Sequence, residues 1–156
     1  MHKEDGEEFS LFQIQSEIVA AVQKKSCLEL TIVTGDNAEH PLIPQLIRFA
    51  IRLGIPTTVC VDGKLHSLAC LSLWTQAGLN CLELSMGRKH GEVQIDTVPK
   101  IATHMETLRE EFNVDWGIAI YFDDWPLEEI VPIWEVAREQ NASYFSLRLL
   151  DEEGGR

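Results

Sequence analysis

Five short stretches of this chain share one pattern, and that pattern limits the folds open to it. The first is Leu28-Glu29-Leu30-Thr31-Ile32-Val33, which runs into the turn Thr34-Gly35-Asp36-Asn37. Leu28, Leu30 and Ile32 alternate with Glu29, Thr31 and Val33, the period of a strand with two unlike faces. The same alternation returns in 55–61, 80–86, 115–122 and 143–150. One set is apolar throughout: Val59 and Val61, Leu82, Leu84 and Met86, Trp116, Ile118, Ile120 and Phe122, Phe145, Leu147 and Leu149. The other is small or polar: Thr58 and Cys60, Cys81, Glu83 and Ser85, Gly117, Ala119 and Tyr121, Tyr144, Ser146 and Arg148.

Helical periodicity fills the intervals. Residues 9–25 carry an apolar stripe of Leu11, Ile14, Ile18 and Val22, and Ser10 with Gln13 forms a capping-box pattern. His40-Pro41 opens a second helix that Gly54 stops. Residues 65–77 are apolar on nearly every side, so that helix is expected to be well buried. The spacing of Ile101, Met105, Leu108 and Phe112 predicts a helix over 99–112. A last helix over 127–140 is expected to turn Ile130, Val131, Trp134 and Ala137 inward, with Pro132 as a misfit that kinks it or disturbs its first turn.

The order is one helix, four strand–helix units and a final strand, which predicts a parallel sheet with right-handed crossovers. A doubly wound sheet covers both faces with helices, so its strands are apolar on both. Here only one set is apolar. The expected fold is therefore an α/β, five-stranded, open partial (β/α) barrel with an added N-terminal helix. A flavodoxin-like or Rossmann-like doubly wound sheet is the alternative. Glu29, Glu83, Tyr121 and Arg148 would line the lumen of the barrel, and charges there need partners, water or a ligand.

The 156 residues read as a single domain over 9–150, between acidic tails at 1–8 and 151–156. The formal net charge of −12 argues against nucleic acid and against anionic membranes, because both need Lys and Arg contacts. No apolar run approaches the roughly 20 residues of a membrane span, and residues 1–8 lack the apolar centre of a signal peptide. A cytoplasmic location is expected. Cys27, Cys60, Cys70 and Cys81 are too far apart for a CxxC pair and read as reduced, buried thiols.

In sequence order the turns resemble those of the radical S-adenosylmethionine (SAM) superfamily. Thr34-Gly35-Asp36-Asn37, with His40-Pro41 after it, matches that family's glycine-acid turn. Asp62-Gly63 matches its Asn-Gly turn, and Leu84-Ser85-Met86-Gly87 its Ser-x-x-Gly turn. The likeness runs over 10–150. It implies a partial barrel in which Gly35 and Asp36 meet the amine or ribose of a ligand such as SAM. The three-cysteine loop that holds the family's iron–sulfur cluster is absent from these residues, as is the strand before it, and Asn37 stands where the family has proline. Without three thiolates a cluster is not expected, nor is reductive cleavage of SAM.

Ligands of parallel α/β folds meet the carboxyl ends of the strands. Those ends supply Gly35, Asp36, Asn37, Asp62, Ser85, Arg88 and Asp123 as candidate binding residues. The resemblance implies a degenerate or truncated family member that binds a small ligand or peptide, or sits as an accessory subunit beside a complete enzyme. SAM is a compatible ligand, and no obligate cofactor is expected. The rival reading is a small α/β enzyme or nucleotide-binding protein with an acidic, metal-capable site at Asp36, Asp62 and Asp123. No metal site is assigned, because no His pair has ligand spacing. Exposed strand edges predict a homodimer or a heteromer. No nucleophile–base pair is evident, so catalysis is not expected.

Overall fold

The computed structural model describes residues 10–26, 29–34, 39–62, 67–86, 95–122 and 126–149. Within them α1 (Leu11–Gln23) leads into β1 (Leu30–Val33), α2 (Leu42–Arg52), β2 (Thr57–Asp62) and α3 (Leu68–Gln76). There follow β3 (Cys81–Met86), α4 (Thr97–Arg109), β4 (Asp115–Phe122), α5 (Leu127–Glu139) and β5 (Tyr144–Leu149). The capping box forms: Ser10 Oγ accepts from the Gln13 amide at 3.3 Å, and the Ser10 amide donates to Gln13 Oε1 at 2.9 Å. Ser67 caps α3, its Oγ accepting from the Cys70 amide. Gly54 and Gly78 end α2 and α3 at φ of 74° and 106°, which a side chain would strain.

All strand pairs are parallel, and the sheet order β1-β2-β3-β4-β5 repeats the chain order. A doubly wound sheet reverses its strand order at a switch point, and no reversal occurs here. Each crossover therefore advances one strand in the same direction, and with one handedness every helix falls on the same side. The packing agrees. Val59, Val61, Leu82, Leu84, Trp116, Ile118 and Ile120 form one cluster with Ile47, Leu71, Trp74, Ile101, Met105, Ile130 and Ile133 of the helices. A second cluster closes the β1 edge, where Ile14, Ile18 and Val22 of α1 meet Leu46 and Ala50 of α2 and Leu30 and Ile32 of β1. The sheet is thus open and helix-covered on its outer face, and no described helix covers its inner one.

Two helices sit differently from their sequence pattern. In α5 the buried residues are Ile130, Ile133 and Ala137, whereas Val131 and Trp134, expected inward, are 45% and 43% exposed. Ile130-Ile133-Ala137 and Val131-Trp134 are neighbouring stripes at equally helical spacing, and the first faces the sheet. The helix runs through Pro132. In α3, expected to be well buried, Cys70, Leu71, Trp74 and Thr75 are buried, while Leu68 and Leu73 face out. A helix laid on one side of a sheet has an outer side whatever its composition.

At the amino ends of the strands, Arg109 ties three segments together. It donates to Val114 O at 3.2 Å and to Ser143 Oγ at 2.6 Å, and it pairs with Asp115 at 3.3 Å. These contacts hold the ends of α4, β4 and β5 in place, away from the inner face.

Candidate functional site on the inner face

Strand register decides which inner side chains meet. Cys60, Glu83, Gly117 and Tyr144 lie in one row across β2, β3, β4 and β5. Asp62, Ser85, Ala119 and Ser146 form the next row toward the carboxyl ends, and Tyr121 pairs with Arg148 beyond it. Glu83 is the centre. It is 2% exposed, and an unpaired carboxylate could not persist at that depth.

Four donors satisfy it. Arg148 grips both oxygens, Nη1 to Oε1 at 2.9 Å and Nη2 to Oε2 at 2.5 Å. Tyr144 Oη donates to Oε2 at 2.8 Å, and Cys60 Sγ donates to Oε1 at 3.3 Å. A carboxylate offers about four acceptor sites, so Glu83 is saturated. The fork-to-fork Arg pair is the geometry that best offsets the burial of both charges. Arg148 also donates to Tyr121 Oη at 3.2 Å and stands 5.8 Å from that ring's centre.

The row also explains how Tyr144 reaches Glu83 from two strands away. Gly117 lies between them, and a Cβ there would sit 2.4 Å from the Tyr144 ring. The missing side chain lets the ring lie over β4 with its hydroxyl on the carboxylate. Cys81 Sγ donates to the same hydroxyl at 3.7 Å.

This network holds its weak acids neutral. Burial, and then the charge and hydrogen bond of Glu83, push the Cys60 thiol up from 9.0 to about 12. Burial and the hydrogen bond to Glu83 raise the Tyr144 phenol well above its ordinary 10.0. Burial also raises the Cys81 thiol. For Arg148, burial works against the charge, but its contacts with Tyr121 and Glu83 outweigh it and raise the pKa. Thiols in this state are poor nucleophiles.

The rows enclose a concavity of about 510 Å³, lined by Glu29, Thr31 and Thr58 on one side and Ser146 and Arg148 on the other, with Cys60, Cys81, Glu83 and Tyr144 between. That is within the usual size range of small-molecule sites. Ser146 Oγ is buried here and has no hydrogen-bond partner among the described residues. With Glu83 and Arg148 satisfied by each other, the lining also carries the Glu29 carboxylate and the hydroxyls of Thr31 and Thr58.

Of the residues singled out from sequence, Glu29, Glu83 and Arg148 line this concavity, and Tyr121 joins through Arg148. Ser85 is buried on the inner face of β3, opposite Asp62 in register. Gly35, Asp36, Asn37, Arg88 and Asp123 lie outside the described residues, as do Cys27 and the side chain of Asp62. Tyr144, Cys60 and Ser146 were not among the candidates. Their signal was present in the inner-facing alternation and in a glycine at mid-strand, but the register that joins them was not. Cys60, Cys70 and Cys81 form no disulfide among the described residues, and Cys60 and Cys70 are buried. Among the described residues no group of three His, Cys, Asp or Glu could hold a metal, and no helix is long and apolar enough to cross a membrane.

No family model and no curated protein matches the chain. Among solved structures it is similar to Streptococcus suis SuiB, in a crystal structure bound to S-adenosylmethionine, with a TM-score of 0.73 and 18% identity. The match covers 98% of this chain and 36% of that one. The shared property at this identity is the fold, and this chain spans about a third of the SuiB chain.

Proposed function

We propose that this chain is a partial-barrel domain of the radical-SAM type that binds a small polar ligand and performs no radical chemistry itself. The observation that carries the reading is the inner concavity. It combines a saturated Glu83–Arg148–Tyr144 network, a polar lining with Glu29, Thr31 and Thr58, and a Ser146 hydroxyl that has no partner among the described residues. Such a surface suits a polar, hydrogen-bonding group such as a ribose or a peptide backbone. The fold likeness to a SAM-bound protein makes SAM the first ligand to try, with Gly35 and Asp36 as the contacts to its amine or ribose that the sequence resemblance implies, and Asn37, Asp62, Ser85, Arg88 and Asp123 as further binding residues read from the strand ends. The described site holds no activated nucleophile, and the sequence has no three-cysteine loop, which supports a binding role, alone or as a subunit beside a complete enzyme.

Calorimetric titration with SAM in the presence of EDTA tests this. The reading expects saturable binding that Asp36→Ala abolishes and that Ser146→Ala weakens. No heat at millimolar SAM, together with a thermal shift by divalent cations that Asp36→Ala removes, would replace it with the metal-dependent α/β enzyme.

A further inference from the structure

The two edges of the sheet differ on their outer face. At β1 the helix α1 packs beside α2 and covers Leu30 and Ile32. At β5 no described helix takes the equivalent place beside α5. Leu147, on the helix-facing side of β5, is 52% exposed. Leu127, Val131 and Trp134 of α5 are 63%, 45% and 43% exposed.

Helical geometry shows where these residues point. At about 100° per residue, Leu127, Val131 and Trp134 share one stripe about a quarter-turn from the core stripe of Ile130, Ile133 and Ala137. Val136, half-buried against the main cluster, lies on the other flank of that core stripe. α4 packs against α5, on the flank away from the open β5 edge. The exposed stripe therefore looks toward that edge and, with Leu147 as a floor, makes an apolar shelf one helix wide. Arg138 continues the stripe, its guanidinium 5.1 Å from the centre of the Trp134 ring.

The shelf has a charged rim. Glu128, Glu135 and Glu139 fall on the solvent side of the stripe at the same helical spacing, and all three are exposed. A second copy would bring an equally acidic rim.

We propose that the α5–β5 shelf docks an amphipathic helix of a partner protein, with an apolar stripe on Leu127, Val131, Trp134 and Leu147 and a flank of Lys or Arg against Glu128, Glu135 and Glu139. The partner helix takes the place at β5 that α1 takes at β1. A Trp at the centre of an apolar patch with charges at its margin is the arrangement of an interaction hot spot, and the rim sets which helices dock. This inference stands apart from the ligand reading, since it concerns the opposite face.

The test uses the full chain and two labelled synthetic helices that share one leucine stripe, one flanked by lysines and the other by glutamates. Fluorescence anisotropy should show the lysine-flanked helix binding about tenfold or more tighter, a preference set by complementary charge. Trp134→Ala should weaken it by about thirtyfold, as the loss of a central aromatic anchor does. Val131→Glu, at an exposed position, should do the same without altering the circular dichroism spectrum. Replacing Glu128, Glu135 and Glu139 with Lys should reverse the preference. Equal binding of the two helices, or binding indifferent to both Trp134→Ala and Val131→Glu, overturns the proposal. So does a sedimentation dimer that Val131→Glu splits, because the occupant would then be a second copy. SAM titration of Trp134→Ala keeps the two readings apart, since ligand binding should be unchanged.

Discussion

The outer and inner faces of this sheet are built on different principles. Outside, many apolar side chains from five strands and the helices share one contact cluster, and each contributes through its own buried area. Inside, three side chains from β2 and β5 converge on a single carboxylate. Apolar packing is graded and tolerant, so damage stays local. A buried polar network is closed, so removal of one member strands the others. The outer face can thus supply stability while the inner face specifies shape.

The largest expected effect tests the outer half of this contrast. Trp116 is 1% exposed among the helices, and Trp116→Ala should cost about 3–5 kcal/mol in urea unfolding. Cys60 should stay unreactive in the native state, because the inner network is left intact. Rapid thiol labelling at low urea would show that the faces are not independent.

Next in size is the inner face. Arg148→Met removes the ion partner of a buried carboxylate, for which the loss is about 3–5 kcal/mol. Because the Arg148 side chain is 42% exposed, water can replace part of the pairing, and the lower end of that range is expected. The contrast sharpens if Tyr144 or Cys60 also changes: Cys60 should label faster in this variant and not in Trp116→Ala. A neutral Arg148→Met would mean that the outer face alone determines both stability and shape.

The smallest effect is a pH dependence. The Cys60 pKa rises from 9.0 in the unfolded chain to about 12 in the fold. Above pH 9 the unfolded state releases this proton while the folded state keeps it. The contribution of Cys60 is therefore complete below pH 9 and is lost as pH climbs toward 12. Tyr144 acts in the same sense. Stability measured from pH 8 to 11 should fall less steeply in Cys60→Ala than in the parent, and an unchanged slope would place the thiol in contact with water.

Much of this was legible in the chain. Alternation with period two separated Glu83, Tyr144 and Arg148 from Leu82, Phe145 and Leu147, because in a strand that period follows from backbone geometry. It did not show that Tyr144 reaches Glu83 across Gly117, since the pairing depends on how two strands slide relative to a third. Nor did helical spacing distinguish Ile130-Ile133-Ala137 from the adjacent stripe with Val131 and Trp134. Both are apolar, and only the side on which the sheet lies makes one of them core.

The sequence by itself determined the order of strands and helices and the unlike faces of each strand. Those properties are local, written in the spacing of side chains along a segment. Tertiary structure decided the rest: which inner residues share a row, that Glu83 is saturated, and that α5 leaves a shelf beside β5. These depend on register and on the rotation of packed elements, which are set by contacts between segments far apart in the chain.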